Sequence, residues 1–408
     1  MKKILFWRLT FITVVAILAI GPLIPRKNVS AVQLSCSEYQ YNRECLKNTE
    51  VNILADTNIN VKKPRIQIAI LLDSSNSMDG LIEQARTQIW DIVNALTKVT
   101  KNGEVPILEV ALFHYGNDSL PSSEGFNRLL SGLTTDLDLV SEKLFTINTN
   151  GGQEYTGWVI NSAMKKLNWN ENNQNFRVIF IAGNEAFNQG DMDWQKSIQL
   201  AKDKDIVVNT IYCENAENPD SQLWAEASRK GQGSYFNINQ NQKIDAIPTP
   251  YDSEISQLNS QLNQTYIPYG EQGTLGQARQ EVQDTNLANV PNPQAAVSRA
   301  VTKTSGYYRN SSWDLVDAVT DKTVNLSSLN NTNLPEKMQS MSLAEKENYI
   351  QKMSNERKLI QTKIAALSLK RNEYIKTKSS RSQSQNTLNT VMIEALRKQL
   401  SAKSFTLD

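Results

Sequence analysis

The chain is 408 residues long, 39% hydrophobic and 21% charged, with 43 Lys and Arg against 42 Asp and Glu for a net charge of +1. That length exceeds one compact core and implies two or three structural units, while the charge balance supplies no field to gather nucleic acid, so no nucleic-acid partner is expected. A single histidine, His114, removes most imidazole-based acid–base and zinc chemistry; an enzyme here would work with carboxylates, hydroxyls, Lys or Cys, and a non-enzymatic protein is expected.

The amino terminus carries Lys2, Lys3 and Arg8 ahead of a nearly continuous apolar run at residues 9–24. At about 1.5 Å per residue the run reaches roughly 24 Å, short of a comfortable membrane span. Val29, Ser30 and Ala31 place small residues where a signal peptidase cuts. The alternative is an uncleaved anchor, with Arg26 and Lys27 between the run and that site and with membrane association through residues 4–24. Under either reading, residues 1–31 are a signal peptide or membrane anchor and the remainder is exported to the periplasm or cell envelope. Residues 32–62 read as a polar linker, in which Cys36 and Cys45 are close enough to pair in an oxidising compartment. Cys213 ends an apolar run and reads as a small buried thiol.

From residue 63 to 245 the chain alternates between two periodicities. Strands are expected at 66–72, 107–113, 176–181, 206–212 and 235–238; amphipathic helices are expected at 81–96, 136–147, 158–167, 192–204 and 222–230. Continuous apolar strands between such helices imply an α/β fold, a doubly wound and mainly parallel sheet covered on both faces. Ligands in such sheets sit at the carboxyl ends of the strands. His114 falls at a strand end and reads as a hydrogen-bonded strand histidine.

Beyond 245 the pattern becomes helical. Residues 246–330 show helices at 254–262, 276–288, 295–303 and 312–319, with a flexible joint at 270–276 and Ser311 or Ser312 as the cap of the last. Residues 331–408 form a C-terminal helical region, read as a hairpin of two antiparallel helices packing on each other or on the α/β domain. Ser342 and Glu345 fit a capping box; Ile350, Met353, Ile360, Ile364 and Leu367 form one apolar stripe, and Leu388, Val391, Met392, Ala395, Leu396 and Leu400 another.

The chemistry is concentrated directly after the first strand, in Asp73-Ser74-Ser75-Asn76-Ser77-Met78. At the end of a central strand this D-x-S-x-S turn directs one carboxylate and two hydroxyls, from Asp73, Ser75 and Ser77, toward one point. Those hard oxygen donors suit Mg²⁺, Mn²⁺ or Ca²⁺ and not zinc or copper. With the aliphatic strand before it and Met-Asp-Gly and a helix after it, the segment resembles the metal-ion-dependent adhesion site of von Willebrand factor A domains. Residues 65–239 resemble that family in element order, and residues 108–117, 149–157 and 178–185 resemble a bacterial secreted branch of it.

The resemblance implies two further ligand loops, both altered here. Where the family has Gly-Gly-Thr, this chain has Gly151, Gly152 and Gln153, followed by Glu154, Tyr155 and Thr156. Where it has Thr-Asp-Gly, this chain has Ala182, Gly183 and Asn184. Glu154 or Thr156 stands in for the first missing ligand, and Asn184 or Glu185 for the second. By the same resemblance the open metal position accepts a carboxylate from a partner, so a protein partner presenting an acidic group is expected. Phe187, Trp194 and Tyr155 lie beside the expected top face and are candidates for a partner-binding patch. Three alternatives remain from the sequence: a site that has lost its ion but keeps its loops as a binding surface, a metal-dependent hydrolase using Asp73 and Glu154, and a structural envelope protein acting through its C-terminal helices.

Overall fold

The computed structural model describes residues 63–242, 247–378 and 386–407. The signal or anchor segment, the linker and the proposed Cys36–Cys45 pair lie outside the described residues.

Strand β1 (Arg65–Asp73) is the centre of a six-stranded sheet, because RIQIAILLD is buried along nearly its whole length. It is joined by β2 (Ile107–Tyr115), β3 (Asn127–Thr134), β4 (Phe176–Gly183), β5 (Val207–Tyr212) and β6 (Gln232–Asn237) in the order β3-β2-β1-β4-β5-β6. Only the β2–β3 pairing is antiparallel. Side chains alternate across the sheet. Ile66, Ile68, Ile70 and Leu72 enter one apolar layer with α1 (Asp79–Leu96) and α2 (Leu137–Phe145). Ala69 and Leu71 enter the other, with α3 (Thr156–Lys166), α4 (Trp194–Asp203) and α5 (Ser221–Lys230). The doubly wound α/β fold expected from the periodicity is the fold observed.

The edge strand β3 has no counterpart among the strands expected from the sequence. Its NRLLSGLT pairs with β2 alone, through register shifts, and its side chains are only partly buried. Without a continuous apolar run it carries no strand signal of its own.

After the sheet come α6 (Asp252–Asn263), α7 (Gly273–Asn289), α8 (Gln294–Thr302), α9 (Leu315–Thr320), the long α10 (Leu343–Lys378) and α11 (Leu388–Ala402). The expected joint at 270–276 is shorter than anticipated, since α7 already begins at Gly273. Gly276 is there for close approach: a Cβ on it would lie 2.3 Å from Cγ of Trp313. The cap of α9 is Asp314, which accepts from Asp317 N–H at 3.0 Å, and not Ser311 or Ser312. At the start of α10, Ser342 N–H donates to Glu345 Oε2 at 2.8 Å, and Glu345 N–H donates to Ser342 Oγ at 3.4 Å.

Of the two arrangements expected for the C-terminal helices, packing on each other or on the α/β domain, α11 adopts the second. The apolar stripe of α11 (Leu388, Val391, Met392, Leu396, Leu400) joins the layer that holds α1. The stripe of α10 divides between two other clusters, Ile364 and Leu367 with Ile255 and Leu262 of α6, and Ile350 and Met353 with Leu315 and Val316 of α9. The α/β part already offers an apolar surface to α11, so the helix satisfies its stripe there. The described residues from Lys63 onward accordingly belong to one compact unit.

A buried ionic cluster joins the two parts. Arg299 of α8, 1% exposed, pairs with Asp138 of α2 and, at 2.6 Å, with Asp284 of α7. Lys303, fully buried, reaches Asp284 at 2.8 Å, and Tyr308 donates to Asp138 at 2.5 Å. Burial opposes ionisation of Asp284, yet Lys303 and Arg299 together hold its carboxyl well below the ordinary range. Among the described residues no helix is long and apolar enough to cross a membrane.

Candidate metal centre at the strand ends

Asp73 ends the central strand, in register with Tyr115 of β2 and one residue past the pairing of Leu72 with Ala182 of β4. Its carboxylate is fully buried. Oδ1 accepts the Ser75 N–H at 2.8 Å, whereas Oδ2 is buried with no hydrogen-bond partner. The first loop reaches the third through hydroxyls: Ser75 Oγ lies 3.2 Å from Ser77 Oγ, and Ser77 Oγ donates to Asn184 Oδ1 at 3.2 Å. Asp73, Ser75, Ser77 and Asn184 are thus brought together. Ser75 and Asn184 are buried and Ser77 is exposed, so the constellation grades from a dry carboxylate to a wet hydroxyl.

Glu154 comes close because Gly116 allows it. At Gly116 φ is +73°, and a Cβ there would lie 2.7 Å from Asp73 Oδ1 and 2.9 Å from Glu154 Cγ. Any side chain would fill the space between those two groups. The loops are pinned by their backbones: Ser74 N–H donates to Tyr115 O at 2.8 Å, Asn150 N–H to Ser74 O at 3.0 Å, and Asn117 Nδ2 to the same Ser74 O at 3.1 Å. Burial pushes the Asp73 carboxyl up to about 8, against the Ser75 N–H and with help from Glu154 and Glu185. Burial and then the charge of Glu185 push Glu154 up to about 7. Acids gathered in low dielectric resist ionisation until a positive charge joins them.

A hard cation suits this donor set. Asp73 Oδ2 is a buried acceptor without a donor, costly to leave unpaired, and the neighbouring groups are oxygens of hydroxyl, amide and carboxylate type. Among the described residues no three His, Cys, Asp or Glu side chains converge to hold a metal by themselves, so the hydroxyls of Ser75 and Ser77 and the Asn184 amide are needed as well. The side chain of Glu185 is exposed, at the outside of the group. Thr156 stands differently from expectation: its buried hydroxyl donates to Phe187 O and fixes the α3 start to the third loop.

The glycine in the third loop has a steric cause. A Cβ on Gly183 would lie 2.5 Å from the Tyr115 hydroxyl, 3.1 Å from Trp224 Cη2 and 3.1 Å from Asp73 Oδ2. Tyr115 is fully buried, donating to Ala182 O at 3.1 Å. Bulk from β2 and α5 therefore fills the place where an aspartate side chain would go. Gly183→Asp is expected to lower the melting temperature, and adding Tyr115→Phe to recover part of the loss; a Gly183→Asp protein as stable as wild type would contradict this packing account.

Two of the three aromatic side chains expected at the top face, Phe187 and Trp194, are buried. Phe187 is fully buried, edge-on to Trp194 at 5.4 Å and to Trp224 at 4.9 Å, and Trp194 is only 7% exposed. Both pack under the third loop and offer no contact surface. Tyr155 is half-buried, edge-on to Phe126 at 5.6 Å, and Gly190 passes against its ring. Neither Phe187 nor Trp194 differs in sequence from an exposed loop aromatic; burial depends on α5 arriving from farther along the chain. Tyr115, Gly116, Asn117 and Trp224 likewise take their places at the site through contacts remote in sequence, with Asp73, Glu154, Ser74 and Gly183. Cys213 is a buried free thiol.

A serine–histidine contact lies nearby without being a catalytic pair. Ser74 Oγ sits 3.0 Å from His114 Nδ1, but Ser74 is fully buried and its hydroxyl also contacts Tyr115 O. Burial, with Arg128 adjacent, lowers the imidazole to about 4, so it is neutral at pH 7. No substrate reaches this hydroxyl.

Several solved structures align with part of this chain. A proximal thread matrix protein of the mussel byssus aligns at 14% identity over 43% of this chain and 42% of its own, with a TM-score of 0.33. The SpRpn10 VWA domain aligns at 18% identity over 43% of this chain and 88% of its own, with a TM-score of 0.32. The pilus adhesin SpaC of Lactobacillus rhamnosus GG aligns at 10% identity over 44% of this chain and 28% of its own, with a TM-score of 0.32. The chain thus spans less than half the length of the mussel and pilus proteins. No curated protein matches it. The von Willebrand factor type A family model matches residues 67–250, which span the sheet and the three loops over Asp73. Residues 67–250 of this chain are a von Willebrand factor type A domain.

Proposed function

We propose that this domain captures a protein partner through a divalent cation at the end of β1, and that the partner supplies an acidic group. Domains of this family commonly mediate protein–protein contacts through a metal-ion-dependent adhesion site and are typically not enzymes. The observation that carries the reading is Asp73 Oδ2, a buried carboxylate oxygen with no hydrogen-bond partner beside Ser75, Ser77, Asn184 and Glu154. Asp73 is the inner charged ligand; Ser75 and Ser77 add neutral oxygens; Asn184 takes the third-loop position and Glu154 the second-loop position. Mg²⁺, Mn²⁺ or Ca²⁺ bound there supplies an electrophilic position for a carboxylate. Glu185 at the rim adds negative charge outside the inner group. The reading places the protein outside the cytoplasm, on the strength of the apolar run at residues 9–24.

Pull-down from envelope extract tests it. Capture by the full chain is expected in millimolar Mg²⁺ or Mn²⁺ and lost with chelator. A bound protein that survives both chelation and Asp73→Ala would defeat the proposal.

A further inference from the structure

The long helix α10 is held to the molecule by one face. Ile350, Met353, Ile364 and Leu367 are buried on it, Arg357 pairs with Asp314 at 2.7 Å and Asp317 at 3.0 Å, and Arg371 pairs with Asp252 at 2.9 Å. The opposite face carries two of the three most exposed large apolar side chains among the described residues, Leu359 at 58% and Leu369 at 64%. Thr362 and Ala366 lie between them and are also exposed. Steps of three, four and three residues place all four in one line along the helix, the spacing of a seam that takes the side chains of a second helix between its own. The seam is about 15 Å long and stops at polar residues, Asn355 one turn before it and Glu373 one turn after it.

Its flanks are basic. Lys358 lies on one side and Lys363 and Lys370 on the other, all three exposed. Glu356, one heptad before Lys363, pairs with Lys352 at 3.9 Å. These flanks select the occupant. A second copy of α10 would set lysine against lysine whether the helices ran parallel or antiparallel. A membrane surface is met by a broad apolar face rich in Trp, Phe or Leu, whereas this strip is one side chain wide and includes a threonine. A helix with carboxylates beside its own apolar strip matches both the spacing and the charge. The ion pairs of Arg357 and Arg371 hold α10 in place beforehand, so ordering costs fall on the partner alone.

We propose that α10 docks an acidic amphipathic helix of a partner protein, with apolar side chains entering the seam from Leu359 to Leu369 and carboxylates meeting Lys358, Lys363 and Lys370. About three turns of contact make this a transient association. It is separate from the cation centre and does not rest on the function proposed above.

The test is fluorescence anisotropy of a labelled three-heptad peptide, with Leu at its seam positions and Glu on both flanks, titrated with the full chain in chelator at low salt. The matched peptide with Lys flanks is the control. Binding of the Glu-flanked peptide alone is expected. Leu359→Ser with Leu369→Ser should weaken it about tenfold or more, Lys363→Glu with Lys370→Glu should transfer the preference to the Lys-flanked peptide, and Asp73→Ala should leave binding unchanged. The four substituted side chains are exposed, and an unaltered thermal melt confirms that the fold is kept. No binding of the Glu-flanked peptide, equal binding of the two peptides, or an unchanged affinity in the leucine pair would overturn the proposal. Two further results would also overturn it: phosphatidylglycerol vesicles bound in place of the peptide and lost with the leucine pair would assign the face to a membrane, and self-association lost with the same pair would assign it to a second copy.

Discussion

Asp73→Asn is expected to abolish stabilisation by divalent cations while raising the melting temperature of the cation-free protein at pH 8. The two effects have one cause. Asp73 is fully buried, and burial lifts its carboxyl to about 8, so near pH 8 without a cation the fold carries a partly ionised group in low dielectric. Asparagine keeps the oxygen that accepts the Ser75 N–H and removes the charge. The gain should be on the order of 2–4 kcal/mol, or several degrees. The wild type in turn should gain about 2.7 kcal/mol from a cation at a hundred times its Kd, and the variant nothing. A variant still stabilised by millimolar Mg²⁺ or Mn²⁺ would remove Asp73 from the cation site.

The sign of the pH dependence follows from the same groups. The folded-state pKa of Asp73 is raised from 3.8 to about 8, and that of Glu154 from 4.5 to about 7. Between pH 4 and pH 8 the folded, cation-free protein therefore holds more protons than the unfolded chain. Its stability from these groups is fully present below pH 4 and is lost as pH rises through 8. Cations compete with those protons, so their stabilising effect should grow over the same interval. Thermal melts at pH 5 and pH 8, with chelator and with Mg²⁺, measure both trends; an equal pH slope in Asp73→Asn would show that the dependence arises elsewhere.

Arg299→Ala should be among the most damaging substitutions in the helical part, costing roughly 3–5 kcal/mol. The guanidinium, 1% exposed, contacts Asp138 and Asp284 and stacks 4.7 Å from the Trp90 ring. Removing it strands Asp138, itself 3% exposed, with only the Tyr308 hydroxyl for compensation. Because Asp138 belongs to α2 and Arg299 to α8, the loss should loosen the helical part against the sheet domain. Denaturant unfolding followed at Trp90 would register it. A change below 1 kcal/mol would mean that the cluster contributes little to joining the two parts. Arg299→Met, which keeps the stem but not the charge, separates packing from ion pairing.

Elements whose signals are local can be read directly from the chain. IQIAILL makes a buried strand in any arrangement that covers both faces, and the helix over Asp79–Leu96 presents its apolar residues at helical spacing. Asp73, Ser75 and Ser77 lie within five residues, so a single turn at a strand end suffices to gather them. Tertiary structure decided what depends on distant partners. The edge strand Asn127–Thr134 is defined by pairing with β2, not by its own pattern. The last helix, Leu388–Ala402, follows the apolar surface of α1 instead of folding back on α10. Gly183 gives way to the Tyr115 hydroxyl and the Trp224 ring, from other elements of the chain. Phe187 and Trp194 become core when α5 packs beside them. In each case the energy lies in burying one surface against another that is remote in sequence, and no local window contains both.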